Sequence, residues 1–178
     1  MKNWMALTIG AAALALAAGT ASAQEESDNR VAAMTAWSVF VEDDPTECWV
    51  VSKPESWQAL RGGSDVTSDV RRGDILLFVT YRPGSGVAGE VSYTGGYPFR
   101  DESSVTLEIG DDSFDLFTQG EWAWPRSAEE DSRIVAALKA GVDATRTGGS
   151  ARGTTTKDKF SLLGVTAALE EAERRCGG

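Results

Sequence analysis

The chain is 178 residues long, carries 27 acidic against 17 basic residues for a formal charge of -10, and contains no histidine. A surface of that sign repels nucleic acid phosphates and anionic lipid headgroups, which are held mainly through Lys and Arg, so neither is expected as a partner. The missing histidine removes Ser-His and Cys-His nucleophilic catalysis and every His-ligated metal site.

The first residues read as a secretory signal peptide. Lys2 gives a positive start, Leu7 to Ala18 is a short apolar run, and Ala21-Ser22-Ala23 is a small-x-small pattern, which places cleavage between Ala23 and Gln24. The apolar run falls short of the roughly 20 residues of a spanning helix, and no cysteine beside the cleavage site offers a lipid anchor. The expected compartment is the periplasm or the extracellular space. Subtracting the 23 signal residues from 178 leaves 155, and losing Lys2 takes the formal charge from -10 to -11. That length suits one domain. Residues 24–30 read as a flexible polar leader and residues 31–178 as the single domain. No later apolar segment approaches membrane-spanning length.

Within the domain, Trp37-Ser-Val-Phe-Val41 and Cys48-Trp-Val-Val-Ser52 alternate as strands about an acidic turn at Glu42 to Thr46, predicting an antiparallel hairpin. Lys53 to Asp69, with its Pro, Gly, Ser and Asp, reads mostly as loop, with Trp57 and Leu60 as anchors. Asp74 to Tyr81 is apolar on both parities and predicts a central strand, with Val87 to Tyr93 as its half-exposed partner. Gly95-Gly-Tyr-Pro98 predicts a turn. Val105 to Ile109 and Phe114 to Thr118 alternate about Gly110-Asp-Asp-Ser113, the clearest hairpin signal in the chain. Trp122-Ala-Trp124 puts two indoles on one face if it is extended.

Ser127 with Glu130 three residues on is a capping-box pattern, and Ile134, Leu138 and Val142 give the helix behind it an apolar stripe. Thr147-Gly-Gly-Ser150 reads as its break. From Thr154 a strand is predicted with Thr156, Asp158 and Phe160 on one face and Thr155, Lys157 and Lys159 on the other. Ser161 is the candidate cap of a last helix, whose Val165, Leu169, Ala172 and Cys176 form one stripe. On its outer side Glu170 and Glu171 stand four residues before Arg174 and Arg175.

Two cysteines in an exported chain are expected to pair, so Cys48 and Cys176 are read as a structural disulfide. They are too far apart in sequence for a redox motif. Paired-carboxylate hydrolysis would have to draw on Glu42, Asp43, Asp44, Asp111, Asp112, Glu121, Glu129, Glu130 or Asp131, nearly all of which sit where a turn or a helix start already accounts for them. Neither acidic turn has the spacing of a calcium loop. Gly84 and Gly86 follow no strand-to-helix pattern that would cradle phosphate. No catalytic residue, metal site or cofactor is therefore assigned. Of the tryptophans left after signal cleavage, Trp37, Trp49 and Trp57 have core or anchor roles, while Trp122 and Trp124, near a turn and a proline, are the candidates for a surface binding site.

The signal peptide, the early Trp37-Ser-Val39 strand, the β-rich middle and the closing Phe160-Ser-Leu-Leu-Gly-Val-Thr-Ala-Ala-Leu169 together resemble the invasion-associated locus B family of alphaproteobacterial exported proteins. The resemblance runs from about Trp37 to Cys176. Phe40 stands where the family carries a further cysteine, and Val165 where it carries an aromatic residue. Membership would imply a non-enzymatic envelope protein, linked in pathogens with host-cell invasion, and supplies no catalytic residues. The expected fold is a β-dominated α+β domain, an antiparallel β-sandwich with two helices near the C-terminus. Its expected partner is another envelope or host protein. The alternatives are an envelope hydrolase and a small-ligand carrier with an apolar pocket behind Trp122 and Trp124.

Overall fold

The computed structural model describes residues 29–44 and 46–177. The predicted signal peptide, its Ala23/Gln24 cleavage site and most of the leader lie outside the described residues. Helices and strands follow one another as β1 (Arg30–Met34), β2 (Trp37–Asp43), β3 (Thr46–Ser52), β4 (Ser56–Arg61), β5 (Ser64–Asp65), β6 (Leu76–Arg82), β7 (Val87–Thr94), β8 (Ser104–Ile109), β9 (Asp112–Gln119), β10 (Trp122–Trp124), α1 (Ala128–Ala140), β11 (Asp143–Gly149), β12 (Thr155–Ser161) and α2 (Val165–Cys176).

The strands form one antiparallel sheet of 12 in the order β1-β2-β3-β6-β7-β10-β9-β8-β11-β12-β4-β5. Its inner face turns in on itself. Tyr93 of β7 reaches Asp158 of β12 at 2.6 Å, the Tyr93 and Phe160 rings meet edge to face at 6.3 Å, and the Trp37 indole of β2 donates to the Ser161 carbonyl at 3.0 Å. Two halves of the sheet thus pack as a sandwich, with Val39, Val50, Leu77, Val79, Val91, Leu107 and Leu116 sealed between them. Burying each such side chain contributes on the order of 1.5–3 kcal/mol.

Both predicted hairpins form, the second with a shorter turn than expected because Asp112 and Ser113 join the strand. Trp37 pairs with Ser52 and Val41 with Cys48 in the first, and Val105 pairs with Leu116 and Ile109 with Asp112 in the second. β6 lies between β3 and β7, the central position its apolar composition implies. Ser127 caps α1, accepting from the Glu130 backbone N–H at 3.3 Å, while the Glu130 carboxylate accepts from the Arg126 N–H at 2.7 Å.

Several expectations are corrected. Ser56–Arg61 is a strand rather than loop, because it adds to β12 with Thr156 opposite Ala59 and Lys159 opposite Ser56; the pairing is long-range and its sequence carries no strong local signal. Thr147 to Gly149 does not break the chain but completes β11, which is paired with both β8 and β12. Glycine is needed there for space: a Cβ at Gly148 would lie 2.5 Å from Nη1 of Arg146 and 3.0 Å from Val105. α1 ends at Ala140, and Val142 is 76 % exposed instead of joining the stripe, since Gly141 turns the chain against Ile109 and Leu162. Ser161 ends β12 and does not cap α2. That position belongs to Gly164, whose φ of 91° lets the backbone press against the Met34 carbonyl, where any side chain would collide. On α2, Glu171 holds both Arg174 and Arg175 in place of two parallel pairs.

α2 buries Val165, Ala168, Leu169, Ala172 and Cys176 against β1, β2, β3 and β6, and Cys176 is bonded to Cys48 with their Cα atoms 6.0 Å apart. The bond joins residues 128 apart, fastening the last helix to the inner face of β3. No helix among the described residues is long and apolar enough to cross a membrane.

Candidate functional site

Trp122 and Trp124 stand on the same side of β10, with Ala123 between them buried on the other. Trp122 faces Thr94 of β7 and Gln119 of β9, and Trp124 faces Phe117, so both project from the outer side of the sheet. The two indoles stack at 6.2 Å with their planes 18° apart. Phe78 extends the row at 5.6 Å from Trp122, Phe117 at 5.5 Å from Trp124, and the Arg126 guanidinium lies 5.9 Å over Phe117. Trp122 remains 38 % exposed. Both helices pack on the opposite, inner side: α2 through Cys176 to Cys48, and α1 through Val135 to Gly89. Among the described residues the row is therefore an aromatic strip on the side of the sheet away from α1 and α2, with Trp122 exposed and Phe78, Phe117 and Trp124 half-buried.

The acidic candidates are scattered. Glu42 accepts from Asn29 at 2.7 Å beside the first hairpin turn, Asp112 begins β9, and Glu129, Glu130 and Asp131 fill the first turn of α1, where the helix dipole favours negative charge. Asp131 is half-buried. Burial first, then the charges of Glu90 and Glu130, raise its pKa above the ordinary carboxylate value, against a 2.8 Å bond accepted from the Val91 N–H.

Another polar centre lies deeper, which the sequence reading did not single out. Asp158 and Arg146 are both 0 % exposed. The Asp158 carboxylate accepts two bonds from Arg72, at 2.5 and 2.9 Å, one from the Tyr93 hydroxyl at 2.6 Å, and one from Arg146. Arg72 is further fixed by donating Nε to the Gly95 carbonyl at 2.9 Å and by lying 5.1 Å from the ring centres of both Trp57 and Tyr97. Arg146 lies 3.8 Å over the Tyr93 ring, and its Nε and Nη1 have no hydrogen-bond partner among the described residues. Two guanidiniums against one carboxylate leave an excess positive charge in the core. Burial pulls the Arg146 guanidinium below its usual range, while Asp158 opposes that pull. One sequence signal could have found the centre: the alternation of β12 puts Asp158 on the same face as Phe160, and a carboxylate facing the core needs a cation.

Among the described residues, two of the surface hollows stand out. The larger, about 940 Å³, runs beside β2 past Phe40, Val51 and Leu163, and its charges, Arg30 and Lys53 against Glu55 and Asp74, cancel. The smaller, about 330 Å³, opens above the buried centre, bordered by Arg61, Arg71 and Arg152 together with Tyr97, Ser150, Thr154 and Thr156. Tyr97 links the two levels, its ring against Arg72 and its hydroxyl 2.6 Å from that of Thr156. Neither hollow is lined by Trp122 or Trp124, so neither is the apolar pocket that a carrier using those indoles would require.

The curled 12-stranded sheet with a helix docked at its end has a counterpart among solved structures. The fold is similar to that of invasion associated protein B from Bartonella henselae. The match covers 80 % of this chain and 95 % of the Bartonella protein, with a TM-score of 0.54 and 15 % sequence identity. At that identity the relationship is one of fold. The chain matches no protein-family model and no curated protein. The closing stretch that carries the resemblance in sequence has a packing role here: Phe160, Leu162, Val165 and Leu169 are buried, and Gly164 makes the tight turn onto α2. It contributes nothing to either hollow except Ser161 and Leu163 at the border of the larger.

Proposed function

We propose that this is a non-enzymatic, exported protein of the cell envelope that acts by binding another protein through the strip around Trp122 and Trp124. The observation that carries the reading is the row Phe78, Trp122, Trp124 and Phe117, four large rings held in contact on a sheet face that neither helix covers. Rigid aromatic side chains bury much area at small entropic cost, and Trp is among the residues most enriched at binding hot spots. The likeness of fold to invasion associated protein B of Bartonella henselae supports an invasion-associated type of protein, and the disulfide suits an oxidising compartment.

The test is capture of envelope proteins by the mature domain, comparing wild type with Trp122→Ala/Trp124→Ala. The double variant should lose the captured partner while unfolding at nearly the wild-type temperature, since both rings lie outside the core. Retention of the same partner at the same yield would refute the assignment of the strip.

A further inference from the structure

Some of the arginines in this acidic chain are neutralised within the fold. Arg72, Arg82, Arg146, Arg174 and Arg175 each hold a carboxylate. The three that border the smaller cleft do not: among the described residues, Arg61, Arg71 and Arg152 join no ion pair. Arg61 donates from Nε and Nη2 to the Thr154 hydroxyl at 3.1 and 2.9 Å, a neutral partner, and among the described residues Arg71 and Arg152 have no side-chain hydrogen bond.

The hydroxyls beside them are set as donors. Thr154 Oγ1 accepts from Arg61, and Ser150 Oγ accepts from the Thr154 backbone N–H at 3.1 Å, so the proton of each hydroxyl is free to be given to a ligand. Beneath this wall lies the excess positive charge of Arg72 and Arg146 over Asp158, sealed in a medium of low polarizability where its field is weakly screened.

We propose that this cleft binds a small hydroxylated molecule through a single anionic group, a carboxylate or a phosphate, held by Arg61, Arg71 and Arg152. Asp69 and Glu121 on the same border set the second half of the chemistry. They leave the wall with only one net positive charge, which disfavours polyanions, and they offer acceptors to hydroxyl or amino groups next to the anionic one. A volume of about 330 Å³ suits a molecule the size of a monosaccharide.

Calorimetric titration of the mature protein with D-glucuronate, glucose 6-phosphate and glucose tests this. Binding of glucuronate alone identifies a carboxylate ligand, binding of glucose 6-phosphate alone a phosphate ligand, and either supports the site if glucose does not bind. Each of Arg61→Gln and Arg152→Gln should weaken binding by roughly tenfold or more, as expected for a lost charge-assisted hydrogen bond. Trp122→Ala/Trp124→Ala should leave it unchanged, which separates this site from the aromatic strip. Raising the salt concentration should weaken wild-type binding without recourse to any variant. Binding of neither anionic probe, equal binding of glucose, or affinity indifferent to salt and to the arginine substitutions would overturn the proposal.

Discussion

Asp158→Asn removes one negative charge and almost no volume, which makes it the sharpest probe of the buried centre. In the wild type the carboxylate takes both ends of the Arg72 fork, at 2.5 and 2.9 Å, and also contacts Arg146 and the Tyr93 hydroxyl. With Asn in its place, two guanidiniums remain buried with no countercharge, and at least one of its donor hydrogens must point at another donor. Breaking a buried ion pair by removing one partner costs about 3–5 kcal/mol, and here one substitution strands two cations. That is a large fraction of the roughly 5–15 kcal/mol that holds a domain together. For a domain of this size it corresponds to a fall in Tm of about 6–20 °C. Chemical denaturation followed by tryptophan fluorescence gives the free energy directly. Adding Arg146→Met to Asp158→Asn should return part of the loss, because one stranded cation is then gone, and the double-mutant cycle measures that coupling. A loss under about 1 kcal/mol for Asp158→Asn, or additivity of the two changes, would mean that the centre is not held together by charge.

The disulfide closes a loop between residues 128 apart, so Cys48→Ser/Cys176→Ser should lower stability by up to about 5 kcal/mol on the chain-entropy argument. Intact-mass analysis of the exported protein should find no thiol that alkylates without reduction and an N-terminus at Gln24; two free thiols or a retained Met1 would contradict the pairing or the export. For Asp131 the folded pKa is raised above its ordinary 3.8, so its favourable contribution is present below that value and is lost as pH rises through the folded value. Asp131→Asn, which keeps an acceptor for the Val91 N–H, should therefore gain on wild type between about pH 4 and 7, with the gap closing in acid. A gap that widens in acid would refute the burial argument.

What the residues announced by themselves was whatever acts over a few positions. The turns at Glu42 to Thr46 and Gly110 to Ser113 sit between alternating runs, so both hairpins were legible, while the register of the second was not: Asp112 and Ser113, read as turn, pair with Ile109 and Glu108 in the strands. Ser127 and Glu130 mark the start of α1, and the steps of four, three and four along α2 place Cys176 on a buried stripe. Trp122 and Trp124 were legible as a surface pair because alternation in β10 leaves them one face whatever surrounds them; their neighbours Phe78 and Phe117, brought in from β6 and β9, were not.

The rest depended on partners far away in sequence. Gly148 looks like a breaker until Arg146, Val105 and Phe99 fill the space its missing side chain leaves, and Ser56–Arg61 looks like loop until β12 supplies its hydrogen bonds. Arg72 is an ordinary surface residue by sequence; the curl of the sheet carries it to an aspartate 86 positions on and sets Tyr93 and Arg146 beside it. Local sequence could fix alternation, caps and turns because those are contests among adjacent atoms. Which arginines would be paired in the core and which left lining a cleft was decided only when the two halves of the sheet closed, because burial and charge pairing depend on the whole surrounding volume.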